Sequence, residues 1–259
     1  MYKVKTGILL QDGRQVMQIP SPYGAGSFSD GNPEGIIMHY TAGGSGKGSA
    51  NYFASNPDSV SAHFVIERDG TVIQCRRTNF KANHAGKSSF RGLIGLNNYT
   101  IGIEIANRGF SPTEKEGWLK SAHKNQSDWI VWWEPYPDEQ IRSVIEVSRA
   151  LRAAHPTIKW IAGHDDIAPG RKIDPGPAFP MQRVNDGIMG DGADDGPNTL
   201  KVNSKDGLNL RAGPSVEAPI LKNLANRTEV QILGSKSPWV MVSVLGTELS
   251  GWVHGAFLE

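Results

Sequence analysis

The sequence predicts an α/β protein, a mixed central sheet flanked by helices, followed by a second, small all-β barrel. Three observations carry that prediction. Strand-like and helix-like segments alternate from Gly35 to about Val184. Residues 186–199 are dominated by Gly, Asp and Pro, a composition that buries too little apolar surface to order a core element. Residues 200–259 then hold short β-rich runs separated by turn residues. The expected organisation is a larger domain over 1–185, a linker over 186–199 and a barrel over 200–259.

Gly35-Ile-Ile-Met-His-Tyr40 reads as the first strand of the larger domain. Ser61 to Gln74 reads as two short strands turning at Asp69-Gly70, a common hairpin signal. Thr100 to Asn107 reads as a strand with Ile101, Ile103 and Ile105 on one face and Gly102, Glu104 and Ala106 on the other. Asp138-Glu139 opens a helix running to about Ala154, with Ile141, Val144, Ile145 and Leu151 at helical spacing and basic residues late. Trp160-Ile-Ala-Gly returns as a buried strand that delivers His164. In the last domain, Leu208–Leu210, Glu229–Leu233, Trp239–Val244 and Gly251–His254 read as strands, with Trp239 and Trp252 as barrel core and rim.

Composition excludes several classes of function. Against 27 basic side chains stand 26 acidic ones, a net charge of +1 that gives no basis for nucleic-acid binding by counterion release. The lone cysteine, Cys75, permits neither an intrachain disulfide nor a cysteine-based zinc cluster, and reads as a small inert core residue. No stretch approaches the roughly 20 apolar residues that span a bilayer, so no membrane insertion is expected. Met1 to Asp12 offers a shorter apolar patch than a signal peptide's core. The expectation is synthesis in the cytoplasm with release by lysis or a specialised apparatus, or a mature chain whose signal has been removed.

Three segments far apart in sequence each bring a polar side chain to the end of an apolar strand: Met38-His39-Tyr40, Ile103-Glu104, and Gly163-His164 leading to Lys172 and Asp174. Two His and one carboxylate suit a catalytic zinc, which takes three protein ligands and keeps a fourth place for water. Spacing alone does not choose among seven histidines, and none of the short zinc-protease helical motifs is present.

A resemblance makes the choice. Gly163-His-Asp-Asp-Ile-Ala-Pro-Gly-Arg-Lys-Ile-Asp-Pro-Gly-Pro-Ala-Phe-Pro180 resembles the distal metal motif of the zinc N-acetylmuramoyl-L-alanine amidases of the type 2 family, relatives of peptidoglycan recognition proteins. The His39-Tyr-Thr-Ala start, the Ser61 to Gly70 run, the Asn83-His-Ala-Gly turn, Asn97 to Glu104 and Tyr136-Pro-Asp-Glu-Gln resemble the same family in the same order, over roughly residues 30 to 182. The resemblance implies the type 2 amidase fold and one Zn²⁺ held by His39, His164 and Asp174. It further implies Glu104 as acid/base, Lys172 as oxyanion stabiliser, and hydrolysis of the bond between N-acetylmuramic acid and L-alanine in bacterial peptidoglycan. A non-catalytic peptidoglycan receptor is the alternative the same fold offers.

His84, Asn83 and His63 lie where substrate contacts are expected. Asn83 stands where relatives commonly place an aromatic, which bears on packing against glycan or peptide. The Trp-rich stretch from Phe110 to Pro135 looks longer than a minimal family loop and is a candidate groove wall. His123, His155 and His254 read as surface or packing residues, and Asp165-Asp166 as solvated loop charge. Leu208 to Ser215, Trp239 to Val242 and Gly251 to Leu258 are similar to bacterial SH3-like domains, which implies a cell-wall-binding module that tethers the enzyme to its polymer, as an endolysin would use.

Overall fold

Gly35–Tyr40 sits second in a six-stranded sheet whose order is Trp160–Gly163, Gly35–Tyr40, Thr100–Ile105, Phe64–Ile66, Val72–Gln74, Met17–Gln18. The computed structural model containing it describes residues 1–189, 199–236, 238–247 and 249–258. The first four strands run parallel, Phe64–Ile66 and Val72–Gln74 form the antiparallel hairpin read from Asp69-Gly70, and Met17–Gln18 lies parallel at the edge. Central parallel strands are covered on both faces, which is why Gly35–Tyr40 and Thr100–Ile105 read as nearly unbroken apolar runs. Ile36, Met38, Ile101, Ile103 and Ile105 are fully buried. Each such side chain contributes roughly 1.5–3 kcal/mol relative to exposure.

Helix Asp138–Ala154 buries Ile141, Val144, Ile145, Val147 and Leu151 along one stripe, with Asp138 and Glu139 in its first turn and Arg152 in its last. Buried Gln140 donates through Nε2 to the carbonyls of Ile66 and Ala106, 3.1 and 3.0 Å away, which fixes the helix to two strand ends. A further helix, Gly46–Ala54, follows strand Gly35–Tyr40 and is capped by Ser45, whose hydroxyl accepts from the Gly48 amide.

These elements belong to one compact unit, Met1–Phe110, His123–Ser127 and Tyr136–Gly176; a second comprises Ser111–Ala122, Asp128–Pro135 and Pro177–Glu259. In the second, a six-stranded antiparallel sheet is ordered Thr199–Lys201, Glu229–Lys236, Trp239–Val244, Ser250–His254, Leu208–Arg211, Ile220–Leu224. It closes on a core of Val202, Leu208, Leu210, Leu224, Val230, Val242, Val244 and Val253.

Helix Met181–Met189 covers residues 186–189, the front of the predicted linker, because Val184 and Ile188 share a buried face one turn apart. Residues 190–198 of that linker lie outside the described residues. The Trp-rich stretch contains the strands Leu119–His123 and Gln126–Trp133. There Trp133 is buried and donates from Nε1 to the Ser121 carbonyl, so one of its tryptophans is core. Among the described residues, no helix is long and apolar enough to cross a membrane.

Candidate metal centre

Parallel register sets His39 opposite Glu104 and Met38 opposite Gly163, so His39, Glu104 and the residue after Gly163 reach the same end of the sheet. His164 follows that strand as the first residue of a short helical turn, His164–Ile167. The loop after the turn brings Asp174 back: the Asp165 amide donates to the Asp174 carbonyl at 2.8 Å. His39, His164 and Asp174 are buried, and one atom from each converges. His39 Nδ1 lies 2.9 Å from His164 Nδ1, and Asp174 Oδ2 is 3.0 Å from both nitrogens.

The outward side of each ring determines what the inward side offers. His84 Nε2 lies 3.2 Å from the Thr100 carbonyl, which only accepts, so that nitrogen carries the proton. Burial, and then the nearby His39 and His63, hold the His84 ring well below the ordinary imidazole range and therefore neutral, leaving His84 Nδ1 as an acceptor. His39 Nε2, 3.0 Å from that atom, is then the donor. His39 is also neutral, pushed down to about 4 by burial and by neighbouring His164. Its Nδ1 thus presents a lone pair. His164 Nε2 faces the Ala85 carbonyl at 3.1 Å, which assigns the proton of a neutral ring to that nitrogen and a lone pair to Nδ1.

Two nitrogen lone pairs and a carboxylate oxygen converging within 3.0 Å repel one another unless a cation lies among them. Tetrahedral zinc at ~2.0–2.1 Å separates its ligand atoms by roughly 3.3 Å, a few tenths of an ångström wider than this trio. The donor set therefore fits a metal of the zinc class, with His84 and the Ala85 carbonyl orienting the two imidazoles from behind.

Burial, followed by the Asp174 carboxylate, pushes Glu104 well above the ordinary carboxylate range, and Lys172 acts in the opposite sense. Lys172 is half-buried, with its amide bonded to the Ala168 carbonyl at 3.0 Å. Its charge bears on both Glu104 and His39, which puts the three in one electrostatic neighbourhood.

The three expected substrate contacts separate. His63 is fully buried with both ring nitrogens engaged by backbone: Nε2 donates to the Phe80 carbonyl at 2.8 Å and Nδ1 accepts from the Gly102 amide at 3.0 Å. It has no ring atom to offer a ligand and instead ties the Glu104 strand to its neighbours, which corrects its reading as a substrate residue. His84 is buried behind His39 and supports it. Asn83 stays half-buried, its Nδ2 donating to the Ser59 carbonyl at 2.9 Å.

Arg171, which lies within the distal motif and has no role evident from the sequence, donates from Nη2 to the carbonyls of Ala85 and Lys87 at 2.8 and 2.6 Å. It thereby fixes the carbonyl that orients His164. Cys75 is buried and free, its thiol pushed up to about 12 by burial and then by Glu104.

Comparison with known proteins bears on the same region. Residues 29–177 match the N-acetylmuramoyl-L-alanine amidase family, and residues 206–259 match the bacterial SH3 domain. The chain is 38% identical over 125 residues to the 1,6-anhydro-N-acetylmuramyl-L-alanine amidase AmpD of Escherichia coli K12, covering 48% of this chain and 56% of that protein. It therefore spans little more than half the length of that relative. AmpD of Citrobacter freundii is 32% identical over 196 residues, covering 68% of this chain and 92% of its own. A crystal structure of a Se-Met AmpD derivative superposes with a TM-score of 0.55 at 27% identity, over 71% of this chain and 98% of that one. The family match takes in more than half of the chain, including every member of the converging site, and the chain belongs to the N-acetylmuramoyl-L-alanine amidase family.

Proposed function

We propose that this chain is a zinc-dependent peptidoglycan amidase that hydrolyses the bond between the lactyl group of N-acetylmuramic acid and the L-alanine of the stem peptide. The observation that carries this reading is the convergence of His39 Nδ1, His164 Nδ1 and Asp174 Oδ2, each turned inward by a partner behind it, beside a carboxyl with a raised pKa. The similarity to AmpD, an amidase acting on 1,6-anhydro-N-acetylmuramyl-L-alanine, supports the bond and the sugar-peptide class.

When bound, zinc polarises a carbonyl and lowers the pKa of water towards about 7. Glu104 is assigned the proton of the attacking water. It sits across from His39 on the same sheet face, and its raised pKa lets it hold that proton and return it to the departing alanine nitrogen. Lys172 is assigned the negative charge that develops on the carbonyl oxygen as the carbon becomes tetrahedral. Asn83, half-exposed beside His84, is assigned a contact to the glycan or peptide.

We further propose residues 1–185 as the catalytic domain and 200–259 as a wall-binding domain, joined through residues 186–199, of which 186–189 complete helix Met181–Met189. The SH3 match supports action on intact wall, in an endolysin or remodelling setting, over action on small soluble fragments. A non-catalytic receptor would need neither the raised Glu104 carboxyl nor Lys172 close to the ligand trio.

The test is incubation of purified sacculi with the unaltered chain, His39→Ala and Asp174→Ala, with and without chelator, scored for new alanine amino termini. Release by the unaltered chain alone, abolished by chelator, is expected. Equal release by both variants refutes the metal assignment, and release by none of them favours the receptor.

A further inference from the structure

The segment His123-Lys124-Asn125 grips the loop that carries the metal ligands. His123 and Asp165 are almost fully buried, so of the two readings of His123 it is the packing one that holds, while Asp165 is not the solvated loop charge expected of it. The Asn125 amide donates to His123 Nδ1 at 3.1 Å, which leaves Nε2 to donate to Asp165 Oδ2 at 3.0 Å. Lys124 Nζ bonds Asp166 Oδ1 at 2.6 Å and lies 3.0 Å from Asp165 Oδ1 as an ion pair. Asn125 Nδ2 donates to the Asp165 carbonyl at 2.9 Å. Three consecutive side chains, an imidazole, an ammonium and an amide, therefore all terminate on residues 165 and 166.

Those two residues are the mechanical link between the candidate ligands. Asp165 directly follows His164 and donates its amide to the carbonyl of Asp174. Asp166 Oδ2 accepts the Gly163 amide at 2.8 Å, closing the turn on which His164 sits. Buried charge pairs are a weak source of net stability, because desolvation offsets most of their attraction, and half-exposed ones add little, so the buried His123–Asp165 pair with Lys124 beside it is poorly explained as a stabilising device. It does restrict geometry, because three side chains from one short segment hold the carboxylate of Asp165, its carbonyl and the carboxylate of Asp166 at once.

We propose that His123, Lys124 and Asn125 form a positioning clamp that holds His164 and Asp174 in metal-binding geometry. This rests on the metal assignment proposed above, and the experiment separates the two. Zinc affinity of the full-length unaltered chain, His123→Leu, Lys124→Met and His123→Gln is measured by competition with a chromophoric chelator, alongside thermal unfolding of each chain without metal. The unaltered chain is expected to bind one zinc. His123→Leu and Lys124→Met are expected to weaken binding about 10–100-fold, the range for residues that orient metal ligands. His123→Gln, which keeps a donor, restores most of the affinity, a rescue that a purely structural role would not produce.

Lys124 is half-exposed, so Lys124→Met decides the matter if His123→Leu does not fold. Unchanged zinc affinity in the folded variants overturns the clamp while leaving the metal site standing. No zinc binding by the unaltered chain overturns the site and the clamp together.

Discussion

His39 and Glu104 are direct partners across two parallel strands, which sets a candidate ligand and a desolvated carboxyl side by side on one face of the sheet. Residues opposed in this way project in the same direction, so the spacing of the His39 imidazole and the Glu104 carboxyl is fixed by backbone pairing and owes nothing to a mobile loop.

Replacing Glu104 by Gln keeps the shape and removes the proton acceptor. The proposed role predicts a fall in kcat of about 10²–10⁴-fold with zinc content unchanged. Amino-terminal release from sacculi, together with metal analysis of the purified variant, checks both halves. A Gln variant that retains normal turnover removes Glu104 from the chemistry.

Gly102 is the reason His84 can stand behind His39. A Cβ at this position would lie 2.4 Å from His84 Cγ and 2.6 Å from Nδ1, so Gly102→Ala must displace the ring. Overpacking of this kind costs about 1–3 kcal/mol. Because His84 orients His39, zinc binding should weaken by about tenfold or more. Chelator competition and urea unfolding measure the two effects. A folded Gly102→Ala chain with normal zinc affinity would show that His84 does not set the His39 tautomer.

His63 gives the fold a sensitivity to acid. Burial lowers its pKa to about 3 in the folded chain, a direction reinforced by Arg76 and His155 and opposed by the Phe80 carbonyl. The folded state therefore binds fewer protons than the unfolded state below the unfolded value of about 6.5. Stability from neutral His63 is complete above that pH and is lost as pH falls towards 3. Between pH 6.5 and 5 the loss approaches about 2 kcal/mol. Urea unfolding at pH 7 and pH 5 should show His63→Gln losing about that much less than the unaltered chain. Identical losses would show that His63 does not govern this titration.

The strands that carry the site were legible because their apolar runs end in His39, Glu104 and His164, and because a long motif tied Lys172 and Asp174 to them. Helix Gly46–Ala54 was not, since Gly46 and Gly48 are poor helix formers and only the Ser45 cap marks its start. Nor was the grip of His123 on Asp165, which joins residues 42 apart and leaves no local periodicity to read. His63 illustrates the converse difficulty. Its motif marks it as a site residue, but both its ring nitrogens serve the backbone, and only the folded arrangement reveals that.

The C-terminal barrel should fold and bind without the rest of the chain. Its core of Val202, Leu208, Leu210, Leu224, Val230, Val242, Val244 and Val253 is drawn wholly from residues after 199, so cutting upstream removes none of these side chains. A piece beginning near Pro177, which keeps helix Met181–Met189 against strand Glu229–Lys236, is accordingly expected to give a cooperative melting transition and to sediment with sacculi. Tethering raises the effective concentration of substrate and adds no catalytic contact, with avidity gains of about 10²–10⁴-fold. A chain ending before residue 199 should therefore keep its kcat on a soluble muropeptide while losing most of its activity on intact sacculi at low enzyme concentration. If the two chains instead cleave sacculi equally well, or the isolated barrel stays in the supernatant, the wall-binding assignment fails while the amidase reading is untouched.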